Sequence, residues 1–389
     1  MTPSPQAGSE PAAQRAGFDP EALRAGYEVV GGDRAGFAAR FFAILFERYP
    51  ELRFLFIDDE EWATAALLAI LDAIIAAADD PEAVVALTEQ LGIDNRTSGV
   101  LDEHYAPIGH ALVLAARSAG GAAWTPELER AWVDGFDIVA ELMVAGAAGD
   151  RARGRAWLSA TVVEHTRVLP DVAVLSLRLS EAVLAKPGQH LLVSSPKLPG
   201  VWRPYHVVPV PADAREVGIY VQSRRQDGLS AVLVRADVGA ELRVGRPQGP
   251  DLLRLIDERD LLAVAIGTGI APVLSLVADP AVAQNGRRVH VFYGGRTVED
   301  LAALDRLESI GRRFPRLEVI PVVTTSGAET RLAQTMGDIV GSYADWRRYQ
   351  VITAGPSALL RPTFDQLREA GVHDDQIIRA DRRALSSTI

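Results

Sequence analysis

The chain has 389 residues, a formal net charge of −11 and no cysteine. That length fits two or three domains, each with its own core. The missing cysteines exclude disulfides, thiolate metal sites and thiol catalysis. No basic block stands out, which argues against nucleic acid and anionic membrane as partners.

The first residues, 1–15, are rich in Pro, Ala, Ser and Gln. They read as a disordered arm without the charged-then-apolar order of a signal peptide, so a cytoplasmic protein is expected. From 19 to about 149 the signals are helical: Ala, Leu and Glu dominate and prolines are sparse. Pro50 breaks one helix, Asp80-Pro81 opens another, and Thr125-Pro126 opens the last with Thr125 as N-cap. Six to eight helices fit. The apolar stretch from Trp62 to Ala78 contains Thr64 and Asp72. A membrane span needs about 20 mostly apolar residues, so this reads as a buried core helix.

Between 155 and 249 the pattern changes to short alternating strands at 160–164, 172–178, 190–194, 217–222 and 241–244, separated by Gly and Pro turns. This predicts a small antiparallel barrel. Arg203-Pro204-Tyr205-His206 is placed on a barrel strand. A guanidinium suits phosphate oxygens in a bidentate pair. Lys186-Pro187-Gly188-Gln189 precedes the strand that begins at His190, and Asp227-Gly228-Leu229-Ser230 forms a later turn. Gly228 and Ser230 offer backbone N–H and hydroxyl donors.

Leu261 to Ile266 is a short apolar run followed by Gly267-Thr268-Gly269-Ile270-Ala271-Pro272 and a second apolar run at 273–277. This predicts a buried parallel strand, a glycine turn and a helix whose first turn admits Pro272. The turn and helix N-terminus suit a pyrophosphate. An ordinary glycine turn has the same G-x-G spacing, because the third glycine of the dinucleotide fingerprint is missing. Two more strands end in glycine turns, at Gly294-Gly295-Arg296 and at Ala354-Gly355-Pro356. The predicted fold is multidomain: an all-α domain, an antiparallel barrel and an α/β domain with a parallel sheet.

The ordered turns of residues 155–381 resemble the ferredoxin–NADP reductase family. The globin phrases are Phe41-Phe42-Ala43-Ile44-Leu45-Phe46, Tyr49-Pro50-Glu51-Leu52-Arg53, Glu103-His104-Tyr105 and Trp124-Thr125-Pro126. With them, the whole chain resembles the flavohaemoglobins in order: globin-like domain (16–150), FAD-binding barrel (151–252) and NAD(P)-binding domain (253–389).

The resemblance implies FAD and NAD(P)H as cofactors. It assigns FAD contacts to Gln189, His190, Arg203, Pro204, Tyr205, His206, Gly228 and Ser230. NAD(P) contacts fall on Gly267, Thr268, Gly269, Ile270, Ala271, Pro272, Gly294, Gly295, Arg296, Ala354, Gly355 and Pro356. Tyr205 would pack on the isoalloxazine. His206 stands where a serine usually hydrogen-bonds near flavin N5. These two are the catalytic candidates, and His206 reads equally as a strand residue displaced from N5. Asp227 stands at a glycine position, Ala354 replaces a cysteine, and the tail after Asp381 lacks the aromatic that covers the flavin. Arg296 is a candidate for a 2′-phosphate, which leaves NADH against NADPH open.

By the same resemblance the proximal haem ligand falls at Asn95, whose amide ligates iron poorly. The distal tyrosine falls at Phe42, the distal glutamine near Ala63 and the supporting glutamate near Ala147, while Tyr105 and Phe56 are retained. His104 and His110 read as ordinary helix residues. Haem is therefore not expected, no metal is expected, and Phe42 and Trp62 are expected to help fill the pocket. The implied function is an FAD-dependent NAD(P)H oxidoreductase whose acceptor is oxygen, a small organic substrate or a partner protein. Two alternatives stay open: a flavin-binding regulatory protein, and a haem-dependent nitric oxide dioxygenase with an unusual ligand.

Overall fold

The computed structural model describes residues 18–56, 60–97, 100–153, 157–199, 201–209, 213–323 and 329–380. Two compact units divide the chain at residue 156. The first is helical: α1 (Pro20–Gly31), α2 (Arg34–Arg48), α3 (Glu60–Ala77), α4 (Pro81–Thr97), α5 (Tyr105–Gly120) and α6 (Pro126–Arg153). Short polar side chains open α1, α2, α4 and α6 by accepting orphan N–H groups. Asp19 takes the N–H of Ala22, Asp33 that of Gly36, Asp80 those of Glu82 and Ala83, and Thr125 that of Leu128. The six α-helices among the described residues agree with the expected number. Phe37, Phe41, Leu45 and Trp132 form the buried centre. Helices α4 and α6 lie backbone to backbone: a Cβ on Gly92 would stand 1.9 Å from the Met143 carbonyl oxygen. Among the described residues no helix is long and apolar enough to cross a membrane, and residues 62–77 of the apolar stretch belong to α3.

The second unit begins at Trp157. Strands β1 (Leu158–Leu169), β2 (Val172–Leu179), β3 (His190–Ser194), β4 (Trp202–Pro209), β5 (Glu216–Gln222) and β6 (Glu241–Val244) close a barrel in the order β1-β2-β5-β4-β3-β6. Helix α7 (Gly228–Val234) lies between β5 and β6, and α8 (Leu252–Leu255) follows the barrel. A five-stranded sheet then forms from β7 (Asp260–Ile266), β8 (Val289–Gly295), β9 (Leu317–Val323), β10 (Tyr349–Ala354) and β11 (Ile377–Arg379), ordered β11-β10-β7-β8-β9. Every pairing in it is parallel. Its connections carry α9 (Ile270–Val277), α10 (Pro280–Gln284), α11 (Leu304–Gly311), α12 (Glu329–Tyr343) and α13 (Ser357–Glu369).

The core on the α9 face of this sheet does not stop at the domain boundary. Val208 of β4 and Tyr220 of β5 are buried in one cluster with Ile270, Leu274, Tyr293 and Leu307. The opposite face packs Phe292, Met336, Val340, Trp346 and Phe364.

Candidate functional site

The barrel half of the site is built on β4. Its residues alternate across the pleat, and in the antiparallel pair with β3, Arg203 lies opposite Val193, Pro204 opposite Leu192, Tyr205 opposite Leu191 and His206 opposite His190. Tyr205 is buried, and its hydroxyl lies 2.9 Å from Ser230 Oγ in the first turn of α7. That bond draws the Arg203 strand and the Gly228 turn together. Arg203 Nη1 donates to the Trp202 carbonyl at 2.8 Å.

His206 Nδ1 lies 2.9 Å from the Gly188 carbonyl. A carbonyl only accepts, so Nδ1 carries the proton and Nε2 is the basic nitrogen of the neutral ring. His190 and His206 meet edge to face with centroids 6.1 Å apart. Gln189 pins the preceding turn, donating to Gly249 O at 3.0 Å and accepting from Lys186 N at 2.9 Å. Asp227, the departure beside Gly228, pairs with Arg225 at 3.0 Å. The hydrogen bond from that guanidinium holds its carboxyl below the usual range.

The nucleotide half lies at the carboxyl ends of β7, β8 and β10. A Cβ on Gly269 would stand 2.5 Å from the Ala354 carbonyl oxygen, and one on Gly355 would stand 3.1 Å from that of Ile266. The turns at Gly267-Thr268-Gly269 and Ala354-Gly355-Pro356 thus interlock at backbone distance, as their neighbouring parallel strands require. Such a crevice beyond the carboxyl edge of a parallel sheet is where dinucleotides bind. Ile270, Ala271 and Pro272 open α9 and are all buried.

Gly294-Gly295 ends β8, and Arg296 is turned onto Asp300. Its backbone N–H donates to Asp300 Oδ2 at 2.7 Å and its Nε to the same oxygen at 3.2 Å. The i,i+4 spacing of Arg296 and Asp300 is readable in the sequence, although the clamp it forms was not expected there. Helix α9 packs against β4, which brings the G-x-G turn and the Arg203–His206 strand into one neighbourhood. Gln222, also outside the sequence expectation, ends β5 with Oε1 3.9 Å from where a Cβ on Gly267 would lie. A groove of about 500 Å³ lined by Arg288, His290, Pro315, Arg316, Leu317 and Glu318 sits at the amino ends of β8 and β9, away from these turns.

In the helical unit Asn95 Nδ2 donates to Tyr105 OH at 3.2 Å and approaches Met143 Sδ at 3.6 Å. The next residue, Arg96, makes a largely buried ion pair with Asp150 across α4 and α6. His104 Nδ1 accepts the Leu101 N–H at 3.0 Å, so the neutral ring carries its proton on Nε2. His110 Nδ1 lies 2.8 Å from the Tyr49 hydroxyl. Phe42 is buried against Phe41 at 4.9 Å and Phe46 at 5.7 Å. Ala63 and Ala147 are buried. The side chains of Phe56 and Trp62, and the tail from Asp381, lie outside the described residues.

The family described as Globin matches residues 39–143, and that described as Oxidoreductase NAD-binding domain matches 263–363. The chain is 31% identical over 195 residues to the ferredoxin–NAD(P)+ reductase component of the naphthalene 1,2-dioxygenase/salicylate 5-hydroxylase systems of a Ralstonia species. That match covers 49% of this chain and 58% of the relative's length. It is 26% identical to the flavohemoprotein of Bordetella pertussis, over 72% of this chain and 75% of that one. The flavohemoglobin of Malassezia yamatoensis, solved with bound FAD and heme, superposes with a TM-score of 0.72 at 17% identity. The superposition covers 94% of this chain and all of the other, and at that identity it shows the fold alone.

The class is thereby defined: a globin domain joined to a ferredoxin reductase-type NAD-binding module. The architecture is flavohaemoglobin-like.

Proposed function

We propose that the protein is a cytoplasmic FAD-dependent NAD(P)H oxidoreductase that works without haem. Its parts are a globin-like domain over 16–150, an FAD barrel over 151–252 and a nucleotide domain over 253–389. The observation that carries the reading is the packing of α9, which follows the Gly267-Thr268-Gly269 turn, against β4, which holds Arg203, Tyr205 and His206.

The residues fit both cofactors. Gly269 and Gly355 let the two turns pack at backbone distance, where any side chain would collide with the facing chain; the start of α9 beside them suits a pyrophosphate, and Arg203 with the Gly228–Ser230 turn supplies donors for a second one. Bound together, the two cofactors supply hydride transfer from nicotinamide C4 to flavin N5. The chain's own part is to hold them and manage protons. Tyr205 is fixed by Ser230, and His206 donates its Nδ1–H to the Gly188 carbonyl, which makes Nε2 the unprotonated nitrogen of the neutral ring. Arg296 is held by Asp300, so a 2′-phosphate would have to compete with a carboxylate for it.

The helical unit's residues do not fit an iron site. Asn95 offers an amide engaged with Tyr105 and Met143, and His104 spends its unprotonated nitrogen on a backbone N–H. This supports the haem-free reading, with the globin domain as scaffold or partner surface and turnover at the flavin face. The Ralstonia relative is named a ferredoxin–NAD(P)+ reductase component, which favours a protein acceptor over oxygen or a small organic substrate.

The test is the ultraviolet–visible spectrum of the purified protein before and after anaerobic NADH, with a pyridine haemochrome assay after expression in excess haem. Flavin bands bleached by NADH, with no Soret band, are expected. Flavin that NADH leaves oxidised would favour the regulatory reading, and stoichiometric haem would defeat the haem-free one.

A further inference from the structure

The joint between barrel and nucleotide domain holds a polar contact that the reductase reading leaves unused. Tyr220 of β5 is 7% exposed and lies in the core shared with Tyr293, Ala303 and Leu307. The Arg306 guanidinium, from α11, faces the Tyr220 hydroxyl and opposes the rise that burial gives its pKa. Its Nη1 also lies 3.9 Å from where a Cβ on Gly218 would begin, so the guanidinium rests on β5 beside a residue with no side chain.

Leu307 of α11 shares this core with Tyr293, which leads to the turn after β8. Tyr293 donates to the Asp300 carbonyl at 3.5 Å, and the Asp300 carboxylate closes the Arg296–Thr297 turn. At its other end β5 reaches Gly267 through Gln222. One barrel strand therefore lies beside the Gly267 turn at one end and against Arg306 of α11 at the other.

We propose that Arg306 is a positioning residue for hydride transfer: by holding Tyr220 it sets the spacing between the nucleotide turns and the barrel strands. The proposal rests on the reading of the protein as an NAD(P)H-dependent flavin reductase. Transfer between two bound rings is steeply sensitive to their separation, so a small shift at this joint lowers the rate without removing either binding site.

The test uses the full-length, FAD-loaded protein with Arg306→Met, Tyr220→Phe and the double variant. Anaerobic flavin reduction at saturating NADH should slow about tenfold in each single variant and no further in the double, with KM and FAD content unchanged. Arg306→Lys should recover part of the rate. A readout without turnover is hydrogen exchange over 217–222, which NAD+ should slow in the wild type but not in Arg306→Met. Unchanged reduction rates in the single variants, or additive losses in the double, would overturn the proposal. So would wild-type exchange over 217–222 that NAD+ does not alter. Failure of NADH to reduce the wild-type flavin would instead overturn the reductase reading, and the exchange arm still decides the coupling.

Discussion

Tyr205 and Ser230 are separated by 25 positions and joined by a bond of 2.9 Å. Their residue types were readable as parts of two motifs, but the bond was not, because nothing local in either motif encodes the other's distance. Asp227 makes the same point in reverse. Its carboxylate looks hostile to a phosphate until Arg225, two positions away, is seen to neutralise it. Arg203 is the residue on which flavin retention should turn. A hydrogen bond to a charged group contributes about 1.5–3 kcal/mol, so Arg203→Ala should weaken FAD at least about tenfold. The measurement is the ratio of flavin to protein absorbance across a dilution series, and full retention would remove Arg203 from the phosphate role.

At the scale of elements, the sequence was most informative where periodicity was clean. The run before Gly267 forms β7, buried from Leu261 to Ile266; Thr125 caps its helix as expected, and Asp80 caps the helix that Asp80-Pro81 was expected to open. The alternation marks only 160–164 of β1, because register shifts near Val162/Glu164 and Arg167/Leu169 break it. Strand β4 was missing from the alternating segments because Pro204 interrupts it, although its motif was placed on a strand. Helix contact was harder to read, since a glycine within a helix carries no mark of what approaches it. Gly92→Ala would drive a methyl into the Met143 carbonyl and separate α4 from α6. Overpacking of this kind costs about 1–3 kcal/mol, visible as a lower midpoint in thermal unfolding followed at 222 nm.

His290 of β8 gives a pH dependence. It is packed among Tyr343, Trp346 and Tyr349, with Glu318 3.2 Å from its Nε2. Burial pushes its pKa down, Arg288 adds to that, and Glu318 and Asp260 oppose it. Below the unfolded value of about 6.5 the unfolded ring binds a proton that the folded ring resists, so this group removes stability as pH falls. His290→Gln keeps a donor for Glu318 without titrating. It should flatten the loss of stability between pH 7 and the depressed pKa in urea unfolding, and an unchanged slope would assign that loss to other groups.

For the whole molecule, the order of three domains was readable, but the continuity between two of them was not. Val208 and Tyr220 are ordinary inward residues of barrel strands, and their partners on α9 and β8 lie far along the chain. Because these side chains belong to both cores at once, neither barrel nor sheet can lose its packing without exposing apolar surface on the other. The consequence is thermodynamic. In differential scanning calorimetry of the FAD-loaded protein, residues 157–380 should absorb heat in a single cooperative transition, with calorimetric and van't Hoff enthalpies in agreement. Two resolved endotherms from this half would mean that the shared apolar layer is too thin to couple them. A single one would make every destabilising substitution in the nucleotide domain a flavin-releasing substitution as well.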